Sequence, residues 1–461
     1  YKRRLQQRYP EVYTSTADLY VAFYARAMQL LRPGGVGCFV SSDKWLRAAY
    51  GEKLRQALLD RQRVRLVIDF GELPVFHAAT DVAIVLWQQE PRGEEPTRWA
   101  QVRDLAACYA EGVEAYVART GIDVPASQFG PGKPRLARPE RAARLERMAR
   151  AGPRLGELPG VRIYYGIKTG LNQAFVVDRA TRDRLVAEDP ASAEVLKPLL
   201  IGDDVRRYEL HFRERYLVWT YIGVPIERYP AVFRHLQRFE ERARQRYDKG
   251  EHWWELRACD YYGAFAQPKI VWPNIASESR FALDVGGYFL LDTCFCIPIE
   301  DIPIEDAYLL GVIASSSAFL YLKAICDVLG DEAAGGRLRL REVFVRQLPI
   351  PEAPAAERAA VAALARQAQA LHEQRRATVE AFLRALGTSP AASSSRNPLE
   401  QPWALDPDTF HRLAARLPNP DKRAFQATRE ETAALTGEIA RVEREIDERV
   451  AALYGIDLPD E

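Results

Sequence analysis

The chain has 461 residues, 48% of them hydrophobic and 28% charged, with a formal net charge of +1. This is the composition of a globular protein of roughly two to four domains. It excludes a uniformly basic nucleic-acid coat but leaves room for a patterned basic surface. No apolar run approaches the ~20 residues of a membrane span. The basic start Tyr1-Lys2-Arg3-Arg4 has no apolar stretch after it, so it does not read as a secretion signal. A cytoplasmic protein is expected, with no membrane partner. The first residue is Tyr rather than Met, which reads as a piece of a longer protein.

Residues 16–90 alternate helix and strand. Thr16 to Arg32 is expected as a helix with Leu19, Phe23, Ala27 and Leu30 on one stripe, Ser15 and Asp18 at its start and Pro33-Gly34-Gly35 at its end. Val36 to Val40 is a short strand. Asp43 is placed to cap a second helix carrying Leu46, Tyr50, Leu54 and Leu58 on one face. Val64 to Phe70 and Val82 to Trp87 are strands joined by a loop that holds Pro74, Phe76 and His77. The order fits the back half of an α/β sheet.

Turn-rich stretches, "EPRGEEPTRW" and "GPGKPRLARP", mark 93–155 as a connector. From 156 to 355 many short apolar runs separated by Gly, Pro, Asn and Asp predict an irregular β-rich domain, with a helical stretch from Tyr308 to Ile325. Residues 356–461 return to helix, interrupted by a Ser/Pro-rich loop at 387–407. Leu435, Ile439, Val442 and Ile446 form a coiled-coil-like seam there. The two terminal helices are expected to pack on each other or on the β-rich domain.

The motifs of nucleotide, zinc-protease and serine-hydrolase sites are absent. The six cysteines include no CxxC pair; Cys294 and Cys296 share a strand face without a ligand set, and read as reduced, buried thiols rather than a metal site. His77 reads as a solvated loop histidine. Arg is most of the positive charge and clusters at Arg206-Arg207, Arg213 with Arg215, 234–246 and 337–346. Its planar fork suits phosphate and guanine edges.

The specific signal is a succession: "ADLYVAFYARAMQLLRPGGVGCFVSSDKWLRAAYGEKLRQALL", then "VIDFGELPVFHAATDVAIVLW", then "VRIYYGIKTGLNQAFVVD" followed by "VLKPLLIGDDVRRY". Together with "IDERVAALYGI" near the end, this order resembles the adenine-N6 DNA methyltransferases of type IIG restriction–modification systems, the TaqI-like group with its C-terminal specificity domain. The resemblance runs from about Tyr9 to Ile456. It implies an α/β region, the distal half of a Rossmann-like S-adenosylmethionine methyltransferase sheet, over 1–92. A connector at 93–155, an α+β, β-rich target-recognition domain at 156–355 and a helical tail at 356–461 complete the expected domains.

The resemblance places Phe23 beside the adenine ring of S-adenosyl-L-methionine and Phe76 against the target base. "SSDKW" departs from the commoner Pro-Asn-Lys-Trp sequence at that point. A base inside a duplex cannot present its amino group, so the enzyme must extrude it, and an aromatic face returns roughly 1–3 kcal/mol by stacking. Pro74 stiffens the Phe76 loop. In the second domain Lys168 and Thr169, between Gly166 and Gly170, are candidate phosphate contacts, and Arg337 and Arg339, on one strand face, are candidate DNA contacts. The expected partner is double-stranded DNA, with an upstream catalytic or nuclease region as a further one.

The family's cofactor glycine motif and its Asn-Pro-Pro-Tyr motif do not occur within the 461 residues. Alone, the chain is expected to be inactive. A stand-alone specificity subunit serving a separate catalytic chain is the alternative, and a non-enzymatic scaffold oligomerising through its terminal helices is the third reading.

Overall fold

The computed structural model describes residues 2–47, 49–71, 73–76, 81–90, 95–125, 139–329, 336–388, 397–417 and 423–458. His77 and residues 130–138 and 389–396 of the turn-rich stretches lie outside them. The chain divides into two compact units, Tyr1–Glu146 and Arg147–Glu461, and is mixed α/β.

The first unit holds helices α1 (Lys2–Arg8), α2 (Tyr20–Leu30), α3 (Lys44–Arg47) and α4 (Glu52–Arg61) and strands β1 (Val36–Ser42), β2 (Arg63–Gly71) and β3 (Val82–Gln88). It continues with β4 (Thr97–Gln101), α5 (Leu105–Glu111), α6 (Val113–Thr120) and β5 (Ile122–Val124), and the boundary falls within α7 (Pro139–Arg150). The sheet order is β1-β3-β2-β4-β5. Antiparallel β3 lies between β1 and β2, and β4 runs parallel to β2, so β1, β2 and β4 point the same way. Alternation along β2 sends Val67 to one core and Ile68 to the other. On the first face Tyr24 packs its ring at 5.0 Å from Phe39, 5.3 Å from Trp87 and 5.5 Å from Trp45. On the second, Ile68, Phe70 and Ala100 pack with Tyr116 and Val117.

Three expectations change here. The connector at 93–155 supplies β4, β5 and three helices, because Trp99 and Ala100 bury themselves between polar neighbours. The stripe Leu19, Phe23 and Leu30 is exposed, and Val21, Tyr24 and Ala25 make the buried face of α2. The helix starts at Tyr20 without a side-chain cap; Asp18 instead accepts from the Tyr50 hydroxyl at 3.2 Å.

The second unit carries thirteen short strands among the described residues. One sheet is β15 (Phe289–Leu290), β8 (Leu196–Leu200), β11 (Arg215–Val218) and β7 (Val176–Asp178), in that order. A second is β14 (Ala282–Asp284), β12 (Lys269–Pro273), β16 (Cys294–Pro298) and β6 (Tyr164–Tyr165). A third is β13 (Ile275–Ala276), β18 (Arg337–Arg339) and β17 (Asp327–Leu329), and β9 (Val205–Arg206) pairs with β10 (Glu209–Leu210). Strand β12 is buried throughout, including Lys269, which meets Asp284 at 2.5 Å with both side chains fully enclosed. Cys294 and Cys296 are buried in β16, and burial pushes the Cys296 thiol up to about 12.

Helices α8 (Asn172–Phe175), α9 (Arg179–Glu188), α10 (Pro230–Gln237), α11 (Glu240–Arg244) and α12 (Tyr262–Ala266) lie between these strands in the chain. The helical stretch expected around 308–325 is formed by α13 (Asp306–Ile313) and α14 (Ser316–Ile325), broken where Ser315 caps the second. After α15 (Glu342–Val345) come α16 (Ala355–Ala385), α17 (Pro407–Ala414) and α18 (Phe425–Leu453). Contacts Glu357–Arg449, His372–Glu443, Arg375–Thr436 and Thr378–Glu431 make α16 and α18 antiparallel. Leu435, Ile439, Val442 and Ile446 are buried along α18. Among the described residues no single helix is long and apolar enough to cross a membrane.

Candidate functional site

In the first unit the candidate surface is the carboxyl end of the parallel strands. Helix α2 turns into β1 through Arg32–Gly35 and lies back along it, with the Tyr24 hydroxyl 2.9 Å from Ser41 Oγ. Its first turns therefore sit near the end of β1, where Asp43 N–H donates to the Asp81 carbonyl. Crevices outside the carboxyl ends of such strands are where open α/β sheets bind ligands. Phe23 is 59% exposed there, one residue from fully buried Tyr24.

Phe76 lies in the β2–β3 connection at the same end of the sheet. It is 53% exposed. Leu73 and Val75, its neighbours, fold onto the core around Ile68 and Phe70. The loop thus anchors itself through Val75 and leaves the Phe76 ring outside. A loop Phe packing back into the core is excluded by that exposure. Two phenolic groups deeper in the unit, Tyr20 and Tyr50, sit 2.8 Å apart, and burial followed by their mutual contact holds Tyr20 protonated.

In the second unit the loop Gly166–Leu171 is shaped by backbone proximity. A Cβ on Gly166 would lie 1.9 Å from the Leu291 carbonyl oxygen, so only glycine fits. Gly170 has φ +66°, and a Cβ there would lie 3.4 Å from Arg246 Cδ and from the Asp248 carbonyl oxygen. Lys168 is half-exposed and its ammonium lies 2.9 Å from Asp248. Thr169 departs from its expected place on the DNA-facing surface. It is 1% exposed, its hydroxyl donates to Asn172 Oδ1 at 2.5 Å, and its own Oγ1 accepts from Leu171 N–H at 3.1 Å. The hydroxyl fixes the turn and does not face solvent.

Arg246 is the hub behind this loop, and the sequence did not single it out. Its guanidinium donates to the carbonyls of Thr169, Trp253 and Glu255 at 2.6–2.8 Å and lies 4.2 Å from the Phe175 ring centroid. Burial pulls its pKa down to about 10. Arg337 and Arg339 stand exposed on one face of β18 while Leu338 between them is buried, which is the alternation expected.

A charge network ties the tail to the β-rich core. Glu209 on β10 meets His211 at 3.0 Å and His372 Nδ1 at 3.2 Å. His372 Nε2 is 2.8 Å from Glu443, whose second oxygen is 3.2 Å from Arg207. Arg207 also meets Asp447 at 2.7 Å, and Asp447 accepts the Ser316 N–H that opens α14. Burial alone would raise Glu209, but contacts to the two histidines outweigh it and hold the carboxyl low. Burial likewise favours neutral His372, and its two carboxylate partners outweigh that and raise it. Arg375 Nη2 also stands 3.1 Å from His372 Nδ1. Two carboxylates against one guanidinium favour the doubly protonated ring. The network borders a cleft of about 1210 Å³ between the β9–β10 hairpin and helices α14, α16 and α18.

Comparison with known proteins bears on both units. Residues 1–76 match the Eco57I restriction-modification methylase family, and residues 197–350 match the TaqI-like C-terminal specificity domain. An Eco57I-type methylase segment precedes a TaqI-like specificity domain. The type II methyltransferase M.PaeR7I of Pseudomonas aeruginosa is 23% identical over 368 residues, 75% of this chain and 60% of the relative. M.XhoI of Xanthomonas vasicola, also a type II methyltransferase, is 22% identical over 372 residues, 76% of this chain and 64% of its own length. The chain thus spans under two thirds of the length of these relatives. The fold is shared with the type IIL restriction-modification enzyme MmeI, solved in complex with DNA, at a TM-score of 0.56 and 14% identity, covering 100% of this chain and 52% of that one. Phe23 and Phe76 fall in the methylase segment, at its end in the case of Phe76. Arg337 and Arg339 fall in the specificity domain, whereas Lys168 precedes it.

Proposed function

We propose that this chain is the distal part of a site-specific DNA methyltransferase of a restriction–modification system. It would act in the cytoplasm on N6 of an adenine flipped out of double-stranded DNA. The observation that carries this reading is the pair of exposed rings, Phe23 and Phe76, at the carboxyl end of a sheet whose adjacent side chains are buried. Beside them β1 is an edge strand with Val36 and Val40 exposed, an apolar border suited to further protein.

S-adenosylmethionine supplies the transferable methyl when bound. Phe23 fits one face of its adenine, being a flat apolar ring held outward by buried Tyr24. Phe76 takes the extruded base by stacking, which offsets part of the unpairing cost. Its loop is set by Val75 on the core, so little order is lost when the base arrives. The second unit positions the duplex: Lys168 through phosphate, and Arg337 and Arg339 through phosphate or base edges. The hydrogen-bond acceptors that align the adenine amino group are absent from these 461 residues, so the chain alone is inactive on this reading.

The test is methyl transfer by the gene product that carries these residues, from labelled S-adenosylmethionine to DNA digested to nucleosides. N6-methyladenine supports the reading. Methylcytosine overturns the adenine assignment, and no DNA-bound label overturns the methyltransferase.

A further inference from the structure

We propose that Tyr247 stacks on a nucleobase of the DNA held by the second unit, which makes it a DNA-contacting residue beside Lys168. The inference rests on the reading of this unit as DNA-binding. Tyr247 is 98% exposed, against 60% or less for every other exposed aromatic described. A single exposed Tyr is ordinary on a protein surface. What sets this one apart is the scaffold beneath it. Arg246, the preceding residue, is buried and donates to three carbonyls from two separate stretches of chain, Thr169 in one and Trp253 and Glu255 in the other. Asp248, the following residue, is held by Lys168 at 2.9 Å and Arg257 at 3.5 Å. Lys249 closes the turn: its N–H donates to the Tyr247 carbonyl and its ammonium to the Arg246 carbonyl, at 3.1 and 3.0 Å.

A buried guanidinium and two ion pairs thus fix a turn whose apex presents the Tyr247 side chain to solvent. Burying that guanidinium has a desolvation cost, visible in its lowered pKa. The return is a ring presented with its backbone already ordered, which lowers the entropy lost on contact. The surroundings select the partner. Arg242, Arg244, Lys249 and Arg257 are exposed between 242 and 257, with exposed Glu241 and Glu251 beside them, and Lys168 joins them through its ion pair with Asp248. Cations beside a projecting ring can hold a duplex by phosphate attraction while the ring inserts at a base step, which partly unstacks it.

The experiment uses the 461-residue chain and a labelled duplex selected by that chain from a randomised pool. Affinity is measured against salt for wild type, Tyr247→Ala, Tyr247→Phe and Lys168→Ala. Tyr247→Ala should bind about five-fold or more weakly with an unchanged salt slope, since stacking releases no counterion. Tyr247→Phe should stay near wild type. Lys168→Ala should make the slope shallower by about one. Unchanged affinity in Tyr247→Ala, or a Tyr247→Phe as weak as the alanine variant, overturns the stacking role and leaves the DNA reading standing. A wild-type chain that selects no duplex overturns the DNA reading itself.

Discussion

The two candidate surfaces are built in opposite ways. At the end of the first unit's sheet, Phe23 and Phe76 are apolar rings beside regular elements, with core neighbours one residue away: Tyr24 for the first, Val75 for the second. At the Lys168 loop the exposed groups are charged, and the support is polar, from Arg246, Asp248 and Thr169. The first arrangement offers flat faces to aromatic rings and few directed hydrogen bonds. The second offers charge and a fixed backbone, which suits a phosphate-lined partner. Packing holds one site and buried polar contacts hold the other, so the two should fail under different substitutions.

The largest contrast is in stability. Lys269→Met leaves Asp284 charged and enclosed in the second unit, a loss of about 3–5 kcal/mol. Limited proteolysis with mass spectrometry should show new cuts after residue 147 and none in the first sheet. Cuts in both units alike would break the contrast.

Next in size is Phe76→Ala, expected to cost roughly 1–3 kcal/mol of target-base stabilisation. Fluorescence of 2-aminopurine at the target position, in the gene product carrying these residues, reports it; unaltered flipping and methylation would remove Phe76 from the site.

The tail network gives a pH signature. His372 has a folded pKa above its ordinary value, so its contribution is full below about pH 6.5 and is lost as pH rises through the folded pKa. Glu209 is depressed, so its contribution is full above the ordinary carboxylate range and fails only in acid. The melting-temperature gap between wild type and His372→Gln should therefore narrow from pH 6 towards alkaline pH. A gap constant with pH would mean the ring is neutral in the fold.

The smallest effect is on Phe23→Ala, which should shift folding stability by no more than about 0.5 kcal/mol because the ring is exposed. Denaturant titration against Tyr24→Ala, expected at about 3–5 kcal/mol, sharpens the distinction between adjacent residues.

Much of this was legible in the sequence where periodicity is strong. The strands β1, β2 and β3, the seam Leu435–Ile446 and the shared face of Arg337 and Arg339 follow from spacing alone. Helix α2 misled because its apolar residues cover more than one face, and spacing cannot say which face meets a core. Phe23 was placed on a stripe that turned out to be exposed, while Tyr24 and Val21 carried the packing. Thr169 misled for another reason: a hydroxyl flanked by glycines reads as available, and only the fold shows Asn172 and Leu171 N–H occupying it. Arg246, Glu209 and His372 left no local signal, since their partners lie 71 or more residues away except for short-range contacts. Among the Arg cluster at 234–246, one buried hub looked like any solvated side chain.

The most direct test of the account is the affinity of the 461-residue chain for duplex DNA across a salt series. The account predicts binding whose logarithm falls linearly with the logarithm of salt concentration, with a shallower slope in Lys168→Ala. Absence of duplex binding at low salt, or an affinity that salt does not change, would contradict it.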